Sequence, residues 1–457
     1  MINMSIEHLA ACFNQEVPAS ADGEFCGVSI DSRTDCSGKL FIAIRGENFN
    51  GFDYLQQAIE QGAVVAMLEK PSDLDIPQII VKDTTKAMAS LSSYWRLQCQ
   101  TKVIALTGSN GKTTVKEMLF QILRQHGKTL ATRGNMNNTI GVPLTLFELS
   151  ADDQFAIIEM GANNPGEISY LAQITRPNIV YVTNAALAHL DGFNTLEGVV
   201  EAKGELYDWC RKQTIAVFNV DEQAAVYWKS ICKAEKIYNC SMNRLTDVSG
   251  SWRVKENGLL LTLKHKHHRE QSMLQVYGEH NARNALAAAS LAIAAGLSLP
   301  EICHNLQDFA PIPGRLQMLC GPNSSRLIDD TYNANPESLK AGVDVLTSLP
   351  GEAWLALGDM AELGDDAKKL HQEAVIDAIE AGVSRFFAIG DFSCAAANEF
   401  GEDGLCFQQL DEMADVINKE ITKEVNLLVK GSRSAGMEQL VQVLIRQQKT
   451  TGGKNAL

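Results

Sequence analysis

This sequence of 457 residues lacks three features that would assign the protein to a specialised class. Its 11 cysteines include no Cys-x-x-Cys pair and no metal-ligand spacing, which favours reduced thiols over a disulfide framework. The N-terminus has no basic start followed by an apolar stretch, which predicts no signal peptide. The longest apolar run, Ala285–Ala295, is too short to span a bilayer. We therefore expect a cytoplasmic protein that does not bind membranes.

The sequence is also short of positive charge, because 40 Lys and Arg stand against 55 Asp and Glu, a net charge of −15. This balance argues against nucleic acid as a partner. Anionic ligands would need cations placed locally. The apolar content of 45% and charged content of 21% are those of a globular protein. The length predicts roughly three domains.

The strongest motif lies in Val103–Lys116. Val103–Leu106 is a short apolar run that predicts a buried parallel strand, and apolar residues at helical spacing follow the loop after it. Leu106 stands where the strict phosphate-loop pattern has its first glycine. A strand, a glycine loop and a helix start together predict a nucleotide site, with Lys112 on phosphate and the Thr113 hydroxyl on Mg²⁺. The predicted nucleotide-binding residues of this loop are Thr107, Gly108, Ser109, Asn110, Gly111, Lys112, Thr113 and Thr114. The alternative is a plain strand-turn-helix connection.

Alternating strand-like and helix-like runs predict an α/β protein of three domains. Residues 1–83 are a small N-terminal α/β domain. Residues 84–313 are a central, ATPase-like domain with a doubly wound parallel sheet and the phosphate loop. Residues 314–457 are a C-terminal Rossmann-like α/β domain, and the Pro-Ile-Pro-Gly sequence before it has linker composition. The strand-like runs of the first domain are Val28–Ile30, Leu40–Ile44, Val64–Leu68 and Ile79–Val81.

Two polar residues follow predicted strands of the central domain. Glu159 ends one strand, and His189 follows the next. Because ligands bind beyond the carboxyl ends of parallel strands, both residues should lie near the phosphate loop. A carboxylate and an imidazole beside a triphosphate are suitable partners for Mg²⁺, directly or through water. The alternatives are an exposed residue at a strand end for Glu159 and a structural histidine for His189.

Three further groups are polar but carry weaker signals. One is the loop Asp31-Ser32-Arg33, in which Arg33 reads equally well as an exposed turn residue. Another is the amide-rich loop Gly134–Asn138, of a kind that usually forms turns. The third is Asn281 with Asn284 at a helix start, where Asn281 could cap the helix or both carboxamides could contact a purine.

These residues occur in the order found in the Mur ligases, a family that the sequence resembles over essentially its whole length. The matching positions are Lys112 in Thr-Gly-Ser-Asn-Gly-Lys-Thr-Thr, Glu159, His189, Asn281 and Asn284 in Gly-Glu-His-Asn-Ala-Arg-Asn, Arg315 in Pro-Gly-Arg, and Asp330. Mur ligases are cytoplasmic bacterial enzymes that build the peptide stem of peptidoglycan with ATP. Four loops resemble the branch that adds D-alanyl-D-alanine to a UDP-N-acetylmuramoyl-tripeptide. They are Gly134–Asn138, Asp330–Asn335, Gly358–Gly364 and Lys430–Arg433.

The resemblance implies an acyl-phosphate mechanism and a set of residue roles. The catalytic residues would be Lys112, Glu159, His189 and Lys203. Two Mg²⁺ ions would be held by Thr113, Glu159, His189 and Lys203, the lysine as a carbamate. ATP would also contact Asn281, Asn284, Arg315, Asp330 and Asn333. The substrate-binding residues would be Ser29, Asp31, Ser32, Arg33, Asn135, Asn137, Asn138, Lys430, Ser432 and Arg433. Without the resemblance, Lys203 reads as a solvated helical lysine paired with its neighbouring glutamates.

Three functions are alternatives to that of a Mur ligase. A folylpolyglutamate-synthetase-like ligase would share the central and third domains but would not need the first. A phosphate-loop kinase or ATPase would not explain the matches in the third domain. A UDP-sugar-binding protein without activity is disfavoured because Lys112, Glu159 and Lys203 are all present. We expect a monomer that acts on a UDP-linked tripeptide and D-alanyl-D-alanine.

Overall fold

Short apolar strands that alternate with helices build the sheets of this computed structural model, which describes residues 1–16, 23–46, 49–186, 190–193 and 195–452. The described strands form four sheets of two, four, nine and six strands. This confirms the predicted three-domain α/β architecture, whereas the boundaries at residues 83 and 313 stay predictions. In the described part of the chain, every helix is too short or too polar to cross a membrane.

The N-terminal region contains a four-stranded parallel sheet, in the order β3-β4-β5-β6, and an antiparallel pair, β1 with β2. The elements are β1 (Asn3–Ser5), α1 (Ile6–Cys12), β2 (Glu24–Cys26), β3 (Val28–Ser29), β4 (Leu40–Ile42), α2 (Leu55–Glu60), β5 (Val65–Leu68), β6 (Gln78–Ile80) and α3 (Thr84–Gln98). Helix α3 begins after Asp83, whose carboxylate accepts a hydrogen bond from the Lys86 backbone. It packs Met88 and Leu91 into the N-terminal core and also contacts the central helices, so it connects the two regions.

The central region is a nine-stranded sheet in the order β15-β14-β13-β12-β11-β10-β7-β9-β8. Its strands are β7 (Lys102–Thr107), β8 (Thr129–Ala131), β9 (Phe155–Glu159), β10 (Ile179–Val182), β11 (Ile215–Asn219), β12 (Lys236–Ser241), β13 (Val248–Lys255), β14 (Gly258–His265) and β15 (His268–Leu274). Its helices are α4 (Lys112–Leu123), α5 (Gly141–Phe147), α6 (Glu167–Thr175), α7 (Leu190–Phe193), α8 (Leu196–Asp208), α9 (Ala225–Ile231), α10 (Glu279–Ala295) and α11 (Leu299–Leu306).

Two hydrophobic cores cover opposite faces of this sheet, as a doubly wound sheet requires. Helices α4, α10 and α11 pack on one face, and α5, α6 and α8 pack on the other. Strand β7 pairs with β9 on one side and β10 on the other, all in parallel. The strand order therefore reverses at β7, the position where ligands bind in such sheets.

The C-terminal region is a six-stranded sheet in the order β16-β17-β21-β18-β19-β20, parallel except for β16. Its elements are β16 (Gln317–Cys320), β17 (Arg326–Asp330), α12 (Pro336–Ser348), β18 (Glu352–Gly358), α13 (Ala367–Glu380), β19 (Arg385–Ile389), α14 (Asp391–Ala396), β20 (Gly404–Phe407), α15 (Leu410–Glu420), β21 (Val425–Lys430) and α16 (Glu438–Gly452). One pair of cysteines departs from the expectation of reduced thiols, since Cys394 and Cys406 form a disulfide. The fold places their Cα atoms 5.1 Å apart, a proximity that their spacing in the sequence does not reveal.

Candidate active site

A cleft of about 1170 Å³ lies between the carboxyl ends of the central strands and the C-terminal sheet. The predicted site residues that line it are Ser109, Asn110, Gly111, Lys112, Thr113, Thr114, Asn135, Asn137, Asn138, Glu159, Lys203, Asn281, Asn284, Arg315, Asp330, Asn333, Lys430, Ser432 and Arg433. Nineteen predicted positions, spread over more than 300 residues of sequence, thus converge on one cleft. His189 lies outside the described residues.

Two glycines allow the phosphate loop to pass close to its neighbours. Gly108 has φ +138°, and a Cβ there would lie 2.0 Å from the Thr183 hydroxyl oxygen. Gly111 has φ +79°, and a Cβ there would lie 2.5 Å from the Asn284 side chain. A larger residue at either position would therefore be strained and would clash. The backbone amides of Gly111 to Thr114, at the start of α4, can consequently face a ligand in the cleft.

Lys112 folds over this loop. Its ammonium donates hydrogen bonds to the carbonyl oxygens of Gly108, at 2.7 Å, and Ser109, at 3.0 Å. Burial lowers the pKa of Lys112, and the nearby charge of Arg315 lowers it further. Thr107 does not reach the cleft, since its hydroxyl donates to the Met160 carbonyl and anchors the loop to the neighbouring strand. Gly108 likewise lies behind the lining residues.

Arg315 brings a second cation to the same place. Its Nη2 donates a 3.0 Å hydrogen bond to the Thr113 hydroxyl, and its guanidinium lies 4.0 Å from the Tyr332 ring centroid. Its Nε is buried and makes no hydrogen bond to the described residues. A buried donor without a partner is costly, so a phosphate oxygen in the cleft would satisfy it. Arg315 therefore fits the predicted phosphate contact.

Asn110 links the phosphate loop to helix α12. Its Nδ2 donates to Glu337 at 3.1 Å, and its Oδ1 accepts from the Asn335 side chain at 2.9 Å. Asn335 also caps α12 by accepting from the Ser338 backbone. The sequence analysis did not single out Glu337, because nothing local signals a contact across 227 positions.

Glu159 ends β9 as predicted, but it is only 2% exposed, so the alternative of an exposed strand-end residue is excluded. Its Oε1 accepts a 2.9 Å hydrogen bond from Asn137, and its Oε2 accepts none from the described residues. No group of three or more His, Cys, Asp or Glu within the described ranges is arranged to hold a metal. The single carboxylate of Glu159 is nevertheless compatible with Mg²⁺, because Mg²⁺ commonly takes one or two protein carboxylates together with phosphate oxygens and water.

Lys203 is buried rather than solvated, at 1% exposure. Its ammonium donates to the Ala162 carbonyl at 3.2 Å and lies 5.0 Å from the Phe193 ring centroid. Burial, followed by the charge of Lys112, lowers the pKa of Lys203 to about 7. Glu205 is not hydrogen-bonded to it, since that carboxylate accepts from the start of α6. The reading of Lys203 as a solvated surface lysine is therefore wrong.

The residues predicted to contact the nucleoside take part in two side-chain pairs. Asn281 does not cap its helix, which begins one position after Gly278, and its carboxamide bonds to Asn284 at 3.2 Å. Lys430 forms an ion pair with Asp330 and donates to the Asn333 carbonyl at 2.9 Å. In this arrangement Lys430 holds Asp330 in place, and its contact with substrate stays a prediction, since Lys430 also lines the cleft. Burial raises the pKa of Asp330, and the charge of Lys430 opposes that shift.

The predicted residues of the N-terminal loop do not line the cleft. Arg33 has a side chain that is 81% exposed and pairs with Asp31 at 2.8 Å. The hydrogen bonds from Arg33 lower the pKa of Asp31 to about 2. Ser32 donates to Gln57, and Ser29 donates to the Asp31 carbonyl. These bonds shape the loop and leave the guanidinium of Arg33 in solvent.

Besides Glu337, two cleft residues with large pKa shifts were not singled out by the sequence analysis. Burial, followed by the charge of Glu337, raises the pKa of Glu222 to about 7. Burial, followed by the charge of Lys430, lowers the pKa of His280 to about 4. Both positions carried a usable signal, because Glu222 follows the carboxyl end of β11 and His280 precedes Asn281 in the matched motif.

Comparison with known proteins identifies the family. Three family models match: "Mur ligase family, catalytic domain" at residues 24–96, "Mur ligase middle domain" at 106–292 and "Mur ligase, glutamate ligase domain" at 314–433. The chain therefore belongs to the Mur ligase family of ATP-dependent ligases.

Individual relatives agree with this assignment. The Escherichia coli K12 protein named "UDP-N-acetylmuramoyl-tripeptide--D-alanyl-D-alanine ligase" is 38% identical over 97% of this chain and 99% of its own length. A crystal structure of MurF from Acinetobacter baumannii has a TM-score of 0.90 at 33% identity, covering 98% of this chain and 99% of that one. The Thermotoga maritima MurF structure in complex with ADP shares the fold, with a TM-score of 0.83 at 22% identity over 93% and 98% of the two chains.

Proposed function

We propose that this protein joins D-alanyl-D-alanine to the terminal carboxylate of a UDP-N-acetylmuramoyl-tripeptide, with ATP as the energy source. The products are the UDP-linked pentapeptide, ADP and phosphate, and the step belongs to peptidoglycan precursor synthesis. One observation carries the proposal. The phosphate loop and the C-terminal residues Arg315 and Asp330 line a single cleft, in a chain similar throughout to relatives named for this reaction.

The chemistry explains why the cleft needs ATP beside the peptide. A carboxylate is a poor electrophile because its oxygen is a poor leaving group. In the proposed reaction a carboxylate oxygen bonds to the γ-phosphorus of ATP as the bond to ADP breaks. The amine of the dipeptide then attacks the carbonyl carbon and loses a proton, and phosphate leaves with the carboxylate oxygen. The protein has to position the reactants and offset the charge at the phosphoryl group.

Lys112 and Arg315 are suited to offset that charge. Both are partly buried beside the loop, and the Arg315 Nε has no partner among the described residues. In the proposed complex the backbone amides from Gly111 to Thr114, at the start of α4, face the phosphates, whereas those of Ser109 and Asn110 donate to Asn184 and hold the loop in shape. Asn281 and Asn284 contact the adenine, and Asp330 and Asn333 contact the ribose. The pair of Lys430 with Asp330 keeps that carboxylate oriented.

Mg²⁺ would be held by the Thr113 hydroxyl, Glu159 and His189, where it would offset the phosphate charge. The Oε2 of Glu159 accepts no hydrogen bond from the described residues, so its lone pairs remain available to a cation, which supports this assignment. Lys203 would act as a carbamate, which replaces a positive charge with a negative one and provides two hard oxygen ligands. The burial of Lys203 and its pKa of about 7 support the carbamate, because a large fraction of the side chain is then the neutral amine that reacts with CO₂.

The acceptor and the dipeptide would occupy the remaining walls of the cleft. Asn135, Asn137 and Asn138 line it on the central side, where the proposal places the pyrophosphate end of the acceptor. Ser432 and Arg433 line it on the C-terminal side, suited to the peptide groups. The loop of Ser29, Asp31, Ser32 and Arg33 would bind the UDP-sugar outside the cleft. We place this activity in a cytoplasmic monomer.

The test is phosphate release by the purified protein with ATP and Mg²⁺. The proposal predicts release only when both UDP-N-acetylmuramoyl-tripeptide and D-alanyl-D-alanine are present, with the pentapeptide detected by mass spectrometry. Release without either substrate would indicate an ATPase. Release with a folate and glutamate in their place would indicate a folylpolyglutamate-synthetase-like ligase. Either result would contradict the proposed function.

A further inference from the structure

Lys116 is a buried lysine behind the cleft, on the helix that follows the phosphate loop. Its side chain is 1% exposed, and its ammonium donates a 2.6 Å hydrogen bond to the Thr132 carbonyl. Two carboxylates lie near it, Glu117 at 3.0 Å and Glu159 at 3.8 Å. Lys116 does not line the cleft, so it contacts neither nucleotide nor peptide from this position.

A charge buried to this degree is costly unless it is paired. Glu117 is the nearer carboxylate, but its side chain is 37% exposed, so water screens its attraction. Glu159 is 2% exposed, and a buried pair interacts more strongly at a given distance. The Oε2 of Glu159 that faces Lys116 has no hydrogen bond from the described residues.

Thr132 is a second connection between Lys116 and Glu159. Its carbonyl accepts from Lys116, and its hydroxyl accepts a 3.0 Å hydrogen bond from the Glu159 backbone. Asn137 holds the other carboxylate oxygen of Glu159 at 2.9 Å. The Glu159 side chain is therefore fixed by Asn137 on one oxygen and by the charge of Lys116 on the other, with its backbone tied to the same threonine.

We infer that Lys116 is a positioning residue for Glu159, which it keeps oriented toward the divalent cation that accompanies the nucleotide. The inference rests on the proposed role of Glu159 as a Mg²⁺ ligand. Residues that orient a ligand from behind typically change metal affinity by about 10-fold to 100-fold when removed. The sequence gives no sign of this role, because Lys116 reads as one more polar residue in an amphipathic helix.

The test measures cation binding rather than turnover. Mn²⁺ affinity for the full-length protein with ADP is measured by electron paramagnetic resonance for the unsubstituted protein, Lys116→Met, Glu159→Gln and the double variant. We expect Lys116→Met to weaken Mn²⁺ binding by about tenfold or more. In the Glu159→Gln background the same substitution should have less than about twofold effect, because a positioning residue acts only through its partner.

Two further variants keep the test decisive. Lys116→Gln retains a donor for the Thr132 carbonyl without the charge and replaces Lys116→Met if the latter does not fold. Lys128→Met is the control for loss of a lysine–carboxylate pair away from the cleft, since Lys128, with a side chain that is 58% exposed, pairs with the buried carboxylate of Asp153 at 3.3 Å. This control should leave Mn²⁺ affinity unchanged.

Each outcome decides a separate question. Unchanged or tighter binding in Lys116→Met, with weaker binding in Glu159→Gln, overturns the inference alone. Equal losses from Lys116→Met in both backgrounds show a general structural effect and also overturn it. Unchanged binding in Glu159→Gln removes the proposed Mg²⁺ role of Glu159, and the inference with it, while the ligase activity remains testable by phosphate release.

Discussion

Arg315 donates a hydrogen bond of 3.0 Å from its Nη2 to the hydroxyl of Thr113, although the two residues are 202 positions apart. Thr113 lies in the first turn of the helix after the phosphate loop, and Arg315 lies just before the C-terminal sheet. The contact places the guanidinium of Arg315, which precedes the C-terminal sheet, beside the first turn of the helix that follows the phosphate loop of the central sheet. A nucleotide in this cleft would therefore contact both parts of the chain.

Lys112→Ala should almost abolish turnover. The substitution removes the charge that we propose stabilises the transferring phosphoryl group, and the loss of one such group lowers kcat by about 100-fold to 1000-fold. Phosphate release with all substrates measures the effect. A thermal unfolding midpoint close to that of the unsubstituted protein would show that the fold persists. Near-normal rates would contradict the assigned role of the loop.

Gly111→Ala should lose nucleotide affinity. Gly111 has φ +79°, and a Cβ there would lie 2.5 Å from the Asn284 side chain. Gly166→Ala is the matched control, because Gly166 has φ +88° and a Cβ there meets nothing within 4 Å. Both variants carry a backbone cost of roughly 1 kcal/mol. Only Gly111→Ala should weaken ADP binding in calorimetry, and equal affinities would show that the loop tolerates a side chain.

The loop was predictable from sequence because its signal is local. The tetrapeptide Gly-Lys-Thr-Thr lies between an apolar strand and an amphipathic helix, and few structures other than a phosphate loop explain that combination. Glu159 was predictable because it ends a short apolar run, which forms a strand whose five residues are all buried. Strands β1 and β16 were not predicted because neither contains a β-branched residue, whereas the equally short β4 and β6 do. The burial of Lys203 was not readable either, because it depends on the contact of its helix with Ala162, 41 positions away. The bond of Asn110 to Glu337 likewise depends on the approach of two sheets.

The proposed carbamate of Lys203 is tested by two substitutions. Lys203→Ala and Lys203→Arg should each lower ligation by roughly 100-fold, because neither side chain can supply the two oxygen ligands. Added formate or acetate should partly restore activity in Lys203→Ala, where a small carboxylate can occupy the vacated space. It should not do so in Lys203→Arg, where the guanidinium fills that space. Full activity in Lys203→Arg would rule out a carbamate.

Glu222 should make stability depend on pH. Burial raises the pKa of its carboxyl from 4.5 to about 7 in the folded protein, so the folded state binds more protons than the unfolded state between these values. The stability associated with the protonated form is present below about pH 4.5 and is lost as the pH rises through about 7. Glu222→Gln removes this titration. The variant should gain unfolding free energy relative to the parent between about pH 5 and pH 8 in urea titrations. A constant difference across that range would contradict the raised pKa.

The acyl-phosphate mechanism is tested most directly by following one oxygen atom. UDP-N-acetylmuramoyl-tripeptide labelled with oxygen-18 in its terminal carboxylate is incubated with ATP, D-alanyl-D-alanine and the protein. If the carboxylate attacks the γ-phosphorus and phosphate later leaves the carbonyl carbon, the label must move with it. The acyl-phosphate mechanism predicts one labelled oxygen in each released phosphate, measured by mass spectrometry. Phosphate that carries no label would contradict an acyl-phosphate ligase.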